Sequence, residues 1–133
     1  MPTLLEIAQS VSQAAHWSRE PKEDNGSVTF ELDGEITFNL ILRGEHLAAF
    51  TADLGIWPQD EYCADELARR LGTLAAGAFI NRKSIVSIAY GRYGLHLAFD
   101  PVKVDLIEVP ELCTMFLNDL DWWRTNASIK LTA

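Results

Sequence analysis

Apolar residues recur with the period of a helix in some segments of this chain and with the period of a strand in others. The order of these segments predicts the fold. A helical stripe comes first, beginning at the capping box Thr3-Leu4-Leu5-Glu6 and running to about Trp17. A charged segment from Ser18 to Gly26 follows and is predicted to be a loop. From Ser27 to about Trp57 apolar and polar residues largely alternate, which is the pattern of half-buried strands.

Short turns divide the alternating region into three strands. Asp33-Gly34 is a two-residue hairpin signal, because a type I′ turn requires positive φ at both central positions. Arg43-Gly44-Glu45 turns the chain again, and the third strand is predicted from His46 to Leu54. These connections are too short for parallel crossovers, so the three strands are predicted to form an antiparallel meander.

The second half of the chain returns to the helical period and then to the strand period. A second helix is predicted after Pro58, a second hairpin from Ser84 to Asp100, and a third helix from Pro110. The tip of this hairpin is placed at Gly91-Arg92-Tyr93-Gly94. The predicted order is α-β-β-β-α-β-β-α, an α+β fold, and the length of 133 residues indicates one domain over 1–133.

The second helix carries two neighbouring stripes. Its apolar stripe consists of Cys63, Leu67, Leu71, Leu74 and Ala78, and its small-residue stripe consists of Ala64, Ala68, Gly72, Ala75 and Ala76. Glycine costs about 1 kcal/mol relative to alanine in a helix interior, so Gly72 and Gly77 indicate the close approach of another element. That element is either this chain's own sheet or the same helix of a second subunit.

The composition narrows the class of partner. The formal net charge is −8, which argues against nucleic acid, whose phosphates require a basic surface, and against an anionic membrane surface. A hydrophobic content of 48% argues against intrinsic disorder. No stretch approaches the roughly 20 apolar residues of a membrane span, and the N-terminus lacks the pattern of a signal peptide. The chain is therefore expected in the cytoplasm, without membrane insertion.

Residues that carry chemistry are scattered. The histidines fall in three different segments, and none has a serine, cysteine or carboxylate at the spacing of a known motif: His16, His46 and His96. Cys63 and Cys113 have no ligand partners at metal-binding spacing and are interpreted as small buried residues. Asp119 and Asp121 flank a helical core stripe and are interpreted as a solvated face. We therefore expect no enzymatic activity, no metal and no cofactor.

Several apolar residues have no obvious place in a core. Leu5 lies away from the centre of the first helix's stripe, and Trp57 lies in a loop bounded by proline. The adjacent Trp122 and Trp123 cannot both face one core, so Trp122 is either a partner anchor or a cap on the rim of the core. Exposed aromatic residues are favoured anchors for protein partners. Protein binding is therefore the function that the pattern favours.

The chain resembles the type III secretion chaperones of Gram-negative bacteria, the homodimeric chaperones of translocated effectors. The resemblance covers about Thr3 to Arg124 and rests on small size, acidic balance, element order and a C-terminal stripe. That stripe contains Leu112, Phe116, Leu117, Leu120, Trp123 and Arg124. The resemblance implies a twisted antiparallel sheet with three helices.

The resemblance also implies two surfaces. A homodimer interface built on the second helix and the following strand would use Ala64, Ala68, Gly72, Ala75, Ile85, Ser87 and Ala89. An apolar groove that holds the N-terminal, non-globular segment of a secreted effector would use Leu5, Val28, Phe30, Phe38 and Leu40. The expected function is therefore to keep that effector soluble and competent for secretion.

Two other functions are compatible with the sequence. The first is an interaction module or anti-activator of the same fold, which sequesters a regulator instead of an exported client. The second is a small-molecule-binding or hydrolytic α+β domain. The protein that co-purifies would separate the first from a chaperone, and a ligand or metal retained through purification would support the second.

Overall fold

The computed structural model describes residues 3–15, 22–24, 26–32, 36–78 and 81–128. The helices of this described part are α1 (Leu4–Ala14), α2 (Glu61–Ala78) and α3 (Val109–Ser128). Its strands are β1 (Lys22–Asp24), β2 (Ser27–Leu32), β3 (Ile36–Leu42), β4 (Ala48–Ile56), β5 (Ile85–Ala89) and β6 (Arg92–Phe99).

The predicted order α-β-β-β-α-β-β-α is confirmed, with one short strand in addition. The segment predicted to be a charged loop contains β1, which pairs with β2 so that Glu23 lies opposite Val28. An edge strand needs backbone hydrogen bonds on one side only, so three polar residues can form one without apolar alternation. The predicted Asp33-Gly34 turn, His16, Trp17 and the tail 129–133 lie outside the described residues.

The strands form one antiparallel sheet in the order β1-β2-β3-β4-β6-β5. The second hairpin joins the meander through β6, which pairs with β4 and leaves β5 at an edge. Phe30 lies opposite Phe38 across β2 and β3, and Leu40 lies opposite Phe50 across β3 and β4. Because side chains alternate along each strand, these residues all project from one face of the sheet, the inner face.

Helices α1 and α3 cover this inner face. The phenylalanine rings of the sheet meet α3 directly: Phe116 has its ring centroid 5.9 Å from that of Phe38 and 5.9 Å from that of Phe50. Phe30 stacks on Phe38 at 4.8 Å. α1 contributes its buried residues Leu4, Ile7, Ala8 and Val11 to the same core.

The tip of the second hairpin differs from the prediction. The turn lies at Tyr90-Gly91, where φ is 53° and 74°, while Arg92 to Gly94 belong to β6. Tyr93 is buried and packs edge-on against Trp57, with ring centroids 6.2 Å apart. Gly94 is needed for close approach and not for a turn, because a Cβ there would lie 2.9 Å from the carbonyl oxygen of Ala52.

A buried carboxylate joins the α2–β5 connection to α3. Asp119 is 4% exposed and accepts hydrogen bonds from the Ser84 backbone N–H (3.1 Å), the Ser84 hydroxyl (2.6 Å) and Arg82 Nη1 (3.0 Å). The Arg82 guanidinium also lies 5.0 Å from the ring centroid of Trp122. The prediction of a solvated face is therefore wrong for Asp119, although Asp121 is exposed.

We expect Asp119→Ala to destabilise the fold by about 2–4 kcal/mol, because it leaves the Ser84 donors and the Arg82 cation without their acceptor. Asp121→Ala is the matched control, since it removes an exposed carboxylate from the same turn of α3 and should change stability by less than about 0.5 kcal/mol. Urea unfolding followed by circular dichroism measures both. Equal effects of the two substitutions would contradict the role of Asp119.

Candidate functional site

The structure places most of the predicted groove residues in the core. Val28, Phe38 and Leu40 are 0% exposed and Phe30 is 3% exposed. A partner cannot reach these side chains in the described structure, so their assignment to a binding groove is wrong. Leu5 differs from them, because it is 38% exposed on α1.

The groove was assigned to these strand positions by the family resemblance, and alternation identifies an apolar strand face without saying what covers it. Here the cover is this chain's own α1 and α3, which supply Ile7, Val11 and Phe116 against the sheet. The apolar positions on β2 and β3 therefore contribute to folding. Any apolar surface for a partner has to be sought among the side chains that these helices leave exposed.

Exposed apolar residues border α1 on two sides. Leu5 lies on one flank of the helix, and Ser10, about 140° further round it, donates a hydrogen bond of 3.1 Å to the carbonyl oxygen of Leu106. That bond holds the β6–α3 connection, residues 100–108, against α1. Ile107 in this connection is 87% exposed, and Leu106 is partly exposed. We call the surface formed by Leu5, Leu106 and Ile107 the α1 rim.

The sequence pattern did not single out the β6–α3 part of this rim. Leu106 and Ile107 follow Asp105 in a segment that fits neither the helical nor the strand period. Adjacent apolar residues without either period are a usable signal, because no regular element then turns both of them into a core. The neighbouring Val102 is also exposed.

The predicted dimer residues lie at the surface. Ala68, Gly72 and Ala75 are exposed on α2 and Ala64 is half-buried. Ile85, Ser87 and Ala89 are exposed on β5. Ile85 lies opposite His96 of β6, and Ser87 lies opposite Gly94. Because directly opposite residues project from the same face, these side chains lie on the outer face of the sheet. These positions are accessible to a partner, and the interface itself stays a prediction.

The glycines of α2 are not explained by packing inside the described chain. A Cβ at Gly72 or Gly77 would meet no heavy atom of the described residues within 4 Å. The sequence left two elements that could approach these glycines closely, the chain's own sheet and the same helix of a second subunit. Within the described residues the sheet does not approach them.

The outer face of the sheet carries a cavity of about 260 Å³ beside β5. Ser87 and the Nε2 atom of His96 are hydrogen-bonded there, a pairing across two strands that sequence spacing did not reveal. Burial holds the pKa of His96 below its ordinary value, so the imidazole is neutral near pH 7 and Nε2 can accept the hydroxyl proton. Asp53 also lines this cavity.

Asp53 and Arg92 form a bidentate ion pair at this cavity. Arg92 Nε donates to Asp53 Oδ1 at 2.8 Å, and Arg92 Nη2 donates to Oδ2. The hydrogen bonds from Arg92 hold the pKa of Asp53 below its usual value. The charges of Asp53 and Arg92 neutralise each other, so this pair gives the cavity no net charge for binding a ligand.

The two cysteines occupy different environments. Cys63 is exposed near the start of α2, so its interpretation as a buried residue is wrong, while Cys113 is buried as predicted. Burial raises the pKa of Cys113 to about 12. The hydrogen bond with Asp60 raises the pKa of Cys63. Among the residues that the structure describes, no group of three His, Cys, Asp or Glu side chains is placed to hold a metal ion.

No helix of the described chain is long and apolar enough to cross a membrane.

Comparison with known proteins gives similarity in structure and none in sequence. No protein-family model matches the chain, and no curated protein matches it. A chain from the structure of the ExsC–ExsE complex superimposes on this chain with a TM-score of 0.64 at 11% identity, and the match covers 95% of this chain and 97% of that one. The HopA1–SchA chaperone–effector complex gives a TM-score of 0.62 at 12% identity, covering 90% and 91%.

A third similar structure is that of a type III secretion chaperone. The Yersinia pestis type III secretion chaperone SycH, in complex with a fragment of YscM2, gives a TM-score of 0.58 at 10% identity, covering 90% of this chain and 98% of that one. The chain therefore has the fold of the type III secretion chaperones.

We expect the two thiols to differ in reactivity. In the native protein at about pH 8, a disulfide reagent such as DTNB should titrate Cys63 only, because a buried thiol with a raised pKa forms almost no accessible thiolate. In denaturant both cysteines should react. Cys63→Ser is the control and should abolish the native signal. Rapid reaction of Cys113 in the native protein would contradict its burial.

Proposed function

We propose that this chain is a chaperone for a protein exported by a type III secretion system. The observation that carries the proposal is the similarity of fold, over 90% of the chain, to two structures of chaperones in complex with other proteins. In this proposal the chain binds the N-terminal, non-globular segment of an effector and keeps it soluble and competent for secretion. It acts in the cytoplasm as one domain over 1–133, without catalysis, metal or cofactor.

The shape of the exposed apolar surface supports an extended client. The α1 rim presents separate side chains on two flanks of a helix, Leu5 on one and Leu106 and Ile107 towards the other. A compact ligand would contact one flank, whereas an extended chain can contact both. Ordering such a chain costs about 1 kcal/mol or more per residue, so several apolar anchors of about 1.5–3 kcal/mol each are needed to offset it.

The net charge supports a basic or neutral client segment. The chain carries 19 acidic and 11 basic residues, and Asp105 and Glu108 lie exposed beside Ile107. Attraction between exposed charges speeds encounter and is screened by salt. Apolar burial is insensitive to screening, so in this proposal it supplies most of the affinity.

We also propose a homodimer that uses α2 and β5. Its interface would contain the exposed small residues of α2 and the outer face of β5: Ala64, Ala68, Gly72, Ala75, Ile85, Ser87 and Ala89. The exposed glycine and alanine side chains support close approach of a second backbone. A two-fold contact would also cover the edge of β5, which is otherwise a template for aggregation.

We expect Leu5→Asp and Ile107→Asp each to weaken client binding by about tenfold or more, because each places a charge at an apolar anchor. Both side chains are exposed, so the fold should survive. Leu47→Asp, in the β3–β4 turn, is the control for charge at an exposed leucine. Phe38→Asp is unsuitable, since Phe38 is buried and its loss unfolds the protein.

Binding is measured by calorimetry with the effector segment at low and moderate salt. We expect only modest weakening on raising the salt concentration. Dissociation in moderate salt, with no effect of the two rim substitutions, would reject the apolar rim and favour an electrostatic adaptor. A partner that is a regulator retained in the cell would favour the sequestering function instead.

A further inference from the structure

Tyr90 adopts a backbone conformation that is unfavourable for its residue type. Its φ is 53°, and Gly91 follows with φ of 74°, so both central residues of the turn between β5 and β6 are left-handed. Type I′ turns of this kind favour asparagine or glycine at the first position. A bulky aromatic residue there is an outlier, and such strain persists only where the surroundings impose it.

The surroundings impose this turn through the backbone. The Gly91 carbonyl oxygen accepts a hydrogen bond of 2.8 Å from the Trp57 N–H, and Ala89 pairs with Arg92 directly below the turn. The Tyr90 side chain takes no part, since its relative exposure is 103%. Asparagine or glycine would satisfy the turn better and would lose no packing within the described chain.

The strand that leads to Tyr90 is uncharged and exposed. No residue from Ser84 to Gly91 carries a charge, Ile85 is 65% exposed, and Ile88 is half exposed. In the described sheet β5 pairs with β6 on one side only and forms an edge. Edge strands are commonly protected by charged residues or proline, and β5 has neither.

The charge distribution favours a second copy of this chain as the occupant of that edge. Two molecules that each carry a net charge of −8 repel each other over most of their surfaces. Contact between copies is therefore least unfavourable where both surfaces are neutral, as along β5. An antiparallel pairing of β5 with itself is self-complementary, as a two-fold contact requires.

We infer that Tyr90 is a contact residue for the second copy of this chain, retained at a cost to the stability of the fold. This inference rests on the proposed homodimer. With the two-fold axis at Ser87, the middle of β5, position 90 of one copy lies opposite position 84 of the other. The residue just before position 84 is Lys83, an exposed cation. A tyrosine ring placed beside a lysine or arginine gains a cation–π contact as well as apolar burial.

The test is Tyr90→Asn, which should have opposite effects on folding and on association. At a protein concentration low enough to keep the chain monomeric, the substitution should raise the Tm by about 2–5 °C, because it relieves the left-handed strain. It should weaken dimerisation by about tenfold or more. Sedimentation equilibrium over a range of concentrations measures the second effect.

Two variants serve as controls. Tyr90→Phe keeps the ring and the strain, so its Tm and dimerisation should match the wild type. Tyr62→Gln removes another exposed tyrosine, from a face of α2 opposite its buried stripe, and should leave dimerisation unchanged. Undiminished dimerisation of Tyr90→Asn, or an unchanged monomer Tm, would overturn the inference.

The same experiment separates this inference from the proposed function. A wild-type chain that stays monomeric at every concentration would reject both the homodimer and the role of Tyr90. A wild-type dimer that Tyr90→Asn leaves intact would reject the role of Tyr90 alone. Loss of client binding with an intact dimer bears only on the α1 rim.

Discussion

The contact between Phe116 of α3 and the phenylalanines of the sheet determines which surfaces of the molecule a partner can reach. Phe116 lies against both Phe38 and Phe50, and α1 completes the cover of the inner face through Ile7 and Val11. An apolar sheet face can be buried only once. Because this chain buries it with its own helices, partner binding has to use helix flanks, connections and strand edges.

This constraint explains which parts of the structure the sequence could predict. The order of helices and strands followed from the change of hydrophobic period, and the start of α1 followed from Thr3, whose Oγ1 accepts a hydrogen bond from the Glu6 N–H. These are local properties of the chain. The polar strand β1 was missed, because pairing at a sheet edge is decided by the backbone of its neighbour and not by its own side chains.

The errors concern residues whose role depends on distant parts of the chain. Phe30 and Phe38 have the alternation of any half-buried strand, and only the docking of α3 decides that they are inaccessible. Asp119 is buried because Ser84 and Arg82, more than 30 residues earlier, reach it. Gly94 marks the close approach of Ala52 on another strand and not a turn. The exposure of Ala68, Gly72 and Ala75 on α2 was likewise not fixed by local period, which left their packing open between the chain's own sheet and a second subunit.

This chain and the three solved structures share their fold at only 10–12% sequence identity, so very different residues can form the same architecture. In this chain the aromatic core fixes the fold. In the proposed function the exposed residues of the α1 rim would determine specificity for a client, whereas those of β5 would contact the second copy.

Protection of a client from proteolysis distinguishes a secretion chaperone from the other protein-binding functions. The chain is tagged and isolated with its partner from the native cells, the complex is treated with a protease, and the fragment that remains bound is identified by mass spectrometry. We expect one contiguous fragment near the N-terminus of an exported protein, which is digested when this chain is absent. A protected fragment that is a folded domain, or that stays resistant without this chain, would rule out the proposed function.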